Sequence, residues 1–479
     1  MVFSSTVFLY LFLPIVLLLY FAAPHRHRNL LLLMASLVFY AWGEGFYVTL
    51  MLVSIALNYV AGRAIHRFRP HAGGKIALIS ALAANLGLLA VFKYANFVVD
   101  TLNSLLAPLS IGAIALNPIH LPIGISFFTF QAMSYVVDVY RRESTPQSGF
   151  VNTALYISLF PQLIAGPIVR YHDIAAQLAK RRVTLKLFSD GVIRFTIGLG
   201  KKMLIANPLG EVADQIFAIP PSDLTASLTW LGVICYGLQI YFDFSGYSDM
   251  AIGLGRMFGF RFLINFNYPY ISRSIREFWR RWHISLSRWF RDYLYVPLGG
   301  NRFGSWTTHR NLLLVFFLCG LWHGASWNFV IWGLIHGGFL VLERTDAFGG
   351  WLRRTWSPLR HAYSLFVVTV AWVFFRADDL PYALQYIGAM FGVGTGESVD
   401  HHLGLYLNTK IVLVLGIGVL GATPILPLTI KKARHAIRRS AMAANILSAA
   451  TVTTLALIML AAAMHLAAGT HNPFIYFRF

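Results

Sequence analysis

Apolar runs follow one another along most of the chain, and short basic stretches separate them. The runs cover residues 7–21, 29–40, 46–61, 75–92, 121–140, 188–206, 225–260, 311–338, 361–375, 382–393, 410–430 and 441–468. About 20 apolar residues cross a bilayer core. The pattern therefore predicts an all-α polytopic membrane protein: a bundle of roughly 11–13 spanning or re-entrant helices around a central polar cavity. The basic stretches at 25–28, 63–75, 171–186, 344–360 and 431–439 read as cytoplasmic loops. Lys201 and Lys202 are expected at the cytoplasmic end of their helix. The first run has no basic segment before it and no small-residue cleavage site, so it should remain as a first span. The amino terminus is then expected on the side of the membrane away from the cytoplasm.

Two stretches depart from simple spanning. Residues 311–338, NLLLVFFLCGLWHGASWNFVIWGLIHGG, are long enough to cross, yet His323 lies near the middle. An ionisable group at membrane depth is costly unless it faces protein or water, so it is a functional candidate. Imidazole suits proton transfer near neutral pH. The small neighbours Gly320, Gly324 and Ala325 are expected to leave room for a substrate. The competing reading is a buried structural histidine, which is the better reading for His336. Just before this run lies RSIREFWRRWHISLSRWFRDYLYVP, residues 273–297. At 100° per residue, Ile275, Phe278, Trp282, Leu286, Trp289 and Tyr293 share one face. Arg273, Arg276, Arg280, His283, Ser287 and Arg291 share another. That predicts one amphipathic helix at the interface, stopped by Pro297, with Arg276, Arg280 and Arg291 placed to bind phosphate. His283 would be a second candidate base inside the arginine face. Lipid anchoring alone is the plainer explanation of those arginines.

Other polar residues in apolar context need partners. Asp243 and Asp249 flank Ser245-Gly246-Tyr247-Ser248, with Arg256 as an expected counter-charge; they read as a supporting network. Gln131 and Asp138 read as satisfying backbone groups. Pro161, Gly166 and Pro167 break residues 151–169, so that segment should be kinked or re-entrant and line a cavity.

Composition agrees with this class. Of 479 residues, 57% are hydrophobic and 12% charged. Soluble domains carry about 25% charged residues. The net charge of +20 falls in the loops between apolar runs, which positive-inside topology explains without any nucleic acid. The two cysteines, Cys235 and Cys319, sit in apolar runs and form no metal-ligand spacing.

The chain also resembles a known family. FWRRWHISLSRWFRDYLYVPLGGNR followed by GLWHGASWNFVIWG is similar to the signature of the membrane-bound O-acyltransferases, in the branch of the alginate O-acetylation membrane subunit. YISLFPQLIAGPIVRY, QIYFDFSGYSDMAIGLGRMFGF and the final NPFIYFRF match the same branch. The resemblance covers nearly the whole chain and implies a single integral membrane domain, 1–479, with core motifs in 121–340 and further helices in 361–479. It implies that His323 is the catalytic histidine and that His283 is the histidine of the earlier basic motif. It implies transfer of an acetyl group from a cytoplasmic thioester, with no bound cofactor and with acetyl-CoA or another acyl thioester as donor substrate. A periplasmic acetyltransferase partner would then modify an exported polysaccharide. A D-alanyl-export subunit for teichoic acids remains an alternative. So does a transporter or flippase without chemistry, which would show broken helices at matching positions in two halves. No matching halves are visible here.

Overall fold

The computed structural model describes residues 1–147, 149–394, 401–437, 441–469, 472 and 475. Among the described residues all regular structure is helical. The chain forms two compact units: residues 1–192 with 251–263, and residues 193–250 with 264–479.

In the first unit, Val48–Phe68 packs against Ala72–Leu89 and Ile125–Arg141. Asn58 and Asn85 hold the first of these pairs together by reciprocal amide bonds of 3.0 and 2.8 Å, each amide also donating to a carbonyl one turn back. Both asparagines are fully buried, so the pairing satisfies groups that the apolar surroundings could not. The 151–169 run is broken as its prolines require. Phe150–Ser158 ends, Leu159 is extended, and Pro161 sits in the first turn of the short helix Phe160–Leu163. Asp138 accepts from both the backbone N–H and the ring Nδ1 of His172, each at 2.9 Å.

Several basic stretches expected as loops are helical. Arg63 and Arg67 lie on Val48–Phe68, and Lys431 and Lys432 on Ile425–Ile437; Arg438 and Arg439 fall outside the described residues. Lys and Arg are good helix formers and favour the last turn, where the helix dipole is negative. Four helical stretches are long and apolar enough to span by themselves: His25–Phe68, Ala72–Leu109, Ser357–Arg376 and Asn445–Ala467. The bent pair Thr409–Gly421 and Ile425–Ala433 adds a fifth if it is one span. Much of the remaining bundle is shorter or broken helix, including the segments that build the site.

Candidate functional site

Residues 311–338 do not form one crossing helix. They belong to a hairpin of Gly304–His323 and Trp327–Leu342, with His323 as the last residue of the first arm. Ser326 caps the second arm, its hydroxyl accepting from the N–H of Asn328. The arms approach closely because glycines face backbone. A Cβ on Gly320 would lie 2.3 Å from the Phe329 carbonyl oxygen, and one on Gly333 would lie 2.2 Å from that of Phe316. Gly320 therefore serves helix packing, and a Cβ on Gly324 would run into the Phe329 ring, where the sequence had suggested space for a substrate. His323 stands at the tip of the hairpin, and the arms are long enough to put it well away from their base.

His283 also departs from its expected place. The 273–297 stretch is two short helices, Ile275–Arg281 and Ile284–Phe290, followed by a widened turn at Arg291–Tyr295. His283 is the break, with a left-handed φ of 41°. Its Nδ1 caps the second helix by accepting the Leu286 N–H at 3.4 Å. The break turns the ring away from the arginines and into aromatic surroundings. Phe244 lies 4.6 Å away, Trp322 6.1 Å and His323 6.4 Å, centroid to centroid. The two histidines of the sequence reading thus meet, both buried, although they stand forty residues apart in the chain.

Beside His323 is a narrow pocket. Trp332 and Phe375 stand edge-on to the His323 ring at 5.0 and 5.2 Å. Trp282 and Trp372, 5.0 Å apart, continue the wall, and Ile240, Phe244 and Ile475 complete it. The cavity pictured as polar is aromatic and aliphatic where it adjoins the histidine, and among its described lining residues His323 is the ionisable one. Such a wall keeps water from whatever group stands beside His323. His336 stacks on Phe278 with planes 6° apart and packs against Trp279 and Trp332, in keeping with a structural role. Cys319 is buried one turn before His323.

The arginines lie at the base of the hairpin. Arg276 and Arg280 are exposed on Ile275–Arg281 and are joined there by two residues the sequence did not single out, Arg344 and Arg353. Burial, then the like charge of Arg344, Arg280 and Arg353, holds Arg276 below the usual arginine range, with Glu343 opposing. Arg291 is set apart: its guanidinium pairs with its neighbour Asp292 at 2.7 Å. Glu343 anchors the group. Its carboxylate accepts the N–H of Ile275 at 2.5 Å, the N–H of Arg276 at 3.1 Å and the Tyr363 hydroxyl at 3.3 Å. From Trp332, which touches His323, to Glu343 the second arm rises about 16 Å.

Each aspartate is paired with a lysine. Asp249 takes Lys201 at 2.6 Å and Arg194 at 2.8 Å. Asp243 takes Lys202 at 2.9 Å, and its second oxygen accepts the N–H of Ile475 at 3.0 Å. Sequence alone had suggested Arg256 as counter-charge and missed the buried pair of Lys202 and Asp243. Trp282, Trp372, Glu343 and Ile475 escaped the sequence reading as site residues because their partners are remote in the chain. Only the unusual density of tryptophan in residues 273–332 hinted at an aromatic site.

Comparison with known proteins places this geometry. Residues 103–376 match the profile of MBOAT, the membrane-bound O-acyltransferase family. The chain is 43% identical to the probable alginate O-acetylase AlgI of Azotobacter vinelandii, covering 100% of both chains. It is 42% identical to the corresponding protein of Pseudomonas putida, again over 100% of both. A peptidoglycan O-acetyltransferase of Helicobacter pylori is 38% identical over 84% of this chain and 81% of its own.

Proposed function

This multi-pass membrane protein belongs to the membrane-bound O-acyltransferase family, and on that premise we propose that it moves an acetyl group from a cytoplasmic thioester across the inner membrane, for O-acetylation of an exported polysaccharide such as alginate. The observation that carries the reading is the meeting of His323 and His283 beside an apolar pocket, about 16 Å along the hairpin from an arginine cluster. Guanidinium groups suit the phosphates of coenzyme A or of a phosphopantetheine arm. With those phosphates at the base, an extended arm carries the thioester towards His323.

His323 then accepts the proton of an acceptor hydroxyl as its oxygen attacks the thioester carbon. The new C–O bond forms as the C–S bond breaks, and the proton passes to the departing thiolate. His283 stands close enough to orient the acyl group. A periplasmic acetyltransferase takes the acetyl group onward to the polymer, and the amino terminus faces the periplasm.

The test is acetyl content of the exported polymer in cells carrying His323→Gln, with a blot for the protein. A general acid–base group is worth about 10²–10⁴ in rate, so the variant should lose acetylation at normal abundance. An amide can hydrogen-bond but cannot take the proton. Substantial acetylation by the Gln variant would remove His323 from the chemistry.

A further inference from the structure

Most of the pocket wall is aromatic; beside Ile240, its aliphatic part is Ile475. It belongs to a short segment whose described residues are tied at two points. The Asn207 amide donates to the Asn472 side-chain carbonyl at 3.1 Å, and the Ile475 N–H donates to Asp243 at 3.0 Å. Asp243 and Lys202 are 2% and 3% exposed. Burying such a pair costs desolvation that its attraction only roughly offsets, so a buried ion pair is better evidence of placement than of stability. Here one carboxylate oxygen holds the lysine, and the other holds the backbone of a residue that lines the pocket.

We infer that Ile475 is the wall that sets which acyl group the pocket accepts, and that Asp243 is a positioning residue that holds this wall in place. The inference rests on the reading of the pocket as the acyl site. The indole and phenyl walls interlock: Trp332 lies 4.9 Å from Phe375 and 6.1 Å from Trp372. Close-packed aromatic walls do not yield to one more methylene. Beside Ile240, Ile475 lines the pocket with a branched aliphatic chain and is itself 4% exposed. Its size then limits the occupant to a short acyl group such as acetyl.

The experiment uses the full-length protein in nanodiscs and follows thiol release from acetyl-CoA and from propionyl-CoA. One methylene in an apolar pocket is worth about 10–200-fold in discrimination, so the wild type should prefer acetyl by a factor in that range. Ile475→Ala should bring the two donors to within a few-fold of each other. Ile475→Val, which removes one methyl group and perturbs packing least, should move the ratio part of the way. Asp243→Asn should also relax the ratio, a change that simple loss of folded protein would not produce. Unchanged selectivity in the Val and Asn variants overturns the assignment. If the wild type releases thiol from neither donor, the reading of the donor fails, and this inference fails with it.

Discussion

Histidines 283, 323 and 336 are all deeply buried, yet their surroundings separate their roles. His336 is enclosed by Phe278, Trp279 and Trp332, whereas His323 borders open space. His283 combines a strained backbone with a capping bond, so its replacement should have two separable effects. His283→Ala loses the cap, worth about 1 kcal/mol, and loses the imidazole. His283→Asn accepts the left-handed backbone and can cap. It should restore most of the thermal stability in detergent without restoring acetyl transfer. Equal activity for Asn and His would reduce His283 to a cap. Glu343 offers a parallel case. Glu343→Ala leaves the N–H groups of Ile275 and Arg276 without their acceptor, at about 1–3 kcal/mol for a buried unpaired group. Thermal unfolding of the variant should register a loss in that range.

At the scale of elements, the hairpin Gly304–His323 and Trp327–Leu342 is what places His323. Its arms meet backbone to backbone at Gly320 and Gly333. A methyl group on Gly333 would sit inside the contact distance of the Phe316 carbonyl, and no flexible side chain stands there to yield. Gly333→Ala should therefore separate the arms, at about 1–3 kcal/mol or more. The expected result is lower accumulation of folded protein and weaker acetylation per molecule. Gly338, with nothing near its missing Cβ, is the control: Gly338→Ala should be tolerated. The helix Ile275–Arg281 is the second positioning element. It carries Arg276 and Arg280 on one side and Phe278 and Trp279 towards the hairpin. Replacing Arg276, Arg280 and Arg344 together by Ala should raise the donor concentration needed for half-maximal rate more than it lowers the saturated rate. Equal donor binding by the triple variant would leave these arginines as lipid anchors.

At the scale of the whole molecule, one polar junction makes stability depend on pH. In the first unit, His172 faces the carboxylates of Asp138, Glu143 and Asp173, with Arg170 nearby. The hydrogen bond to Asp138 raises the His172 pKa above its ordinary value of 6.5, against the effect of burial. A raised folded pKa means that the stabilisation is complete below the unfolded value and fades as pH rises through the folded one. The unfolding temperature should therefore fall across that window above 6.5, and His172→Gln should flatten the dependence. An unchanged slope in the variant would place the pH response elsewhere.

The sequence by itself determined the class of the molecule and named its candidate residues. Continuous apolar runs in a chain of low charge point to a helical membrane protein, because backbone groups in a bilayer must satisfy one another and the strands of a barrel, the other solution, would alternate apolar with polar. The motifs containing His323 and His283, and the basic residues near Arg276 and Arg280, were legible because they are local in the chain. Tertiary structure decided what those residues face. A helical wheel assumes an unbroken helix, so it set His283 among arginines; the break at that residue turned the ring towards His323. Hydropathy could not divide residues 311–338, since both arms of the hairpin are apolar, and only the packing of Gly320 and Gly333 shows why the chain turns back. Glu343 capping a helix far from it in the chain, and Ile475 held by Asp243, are contacts between remote segments, and periodicity carries no record of them.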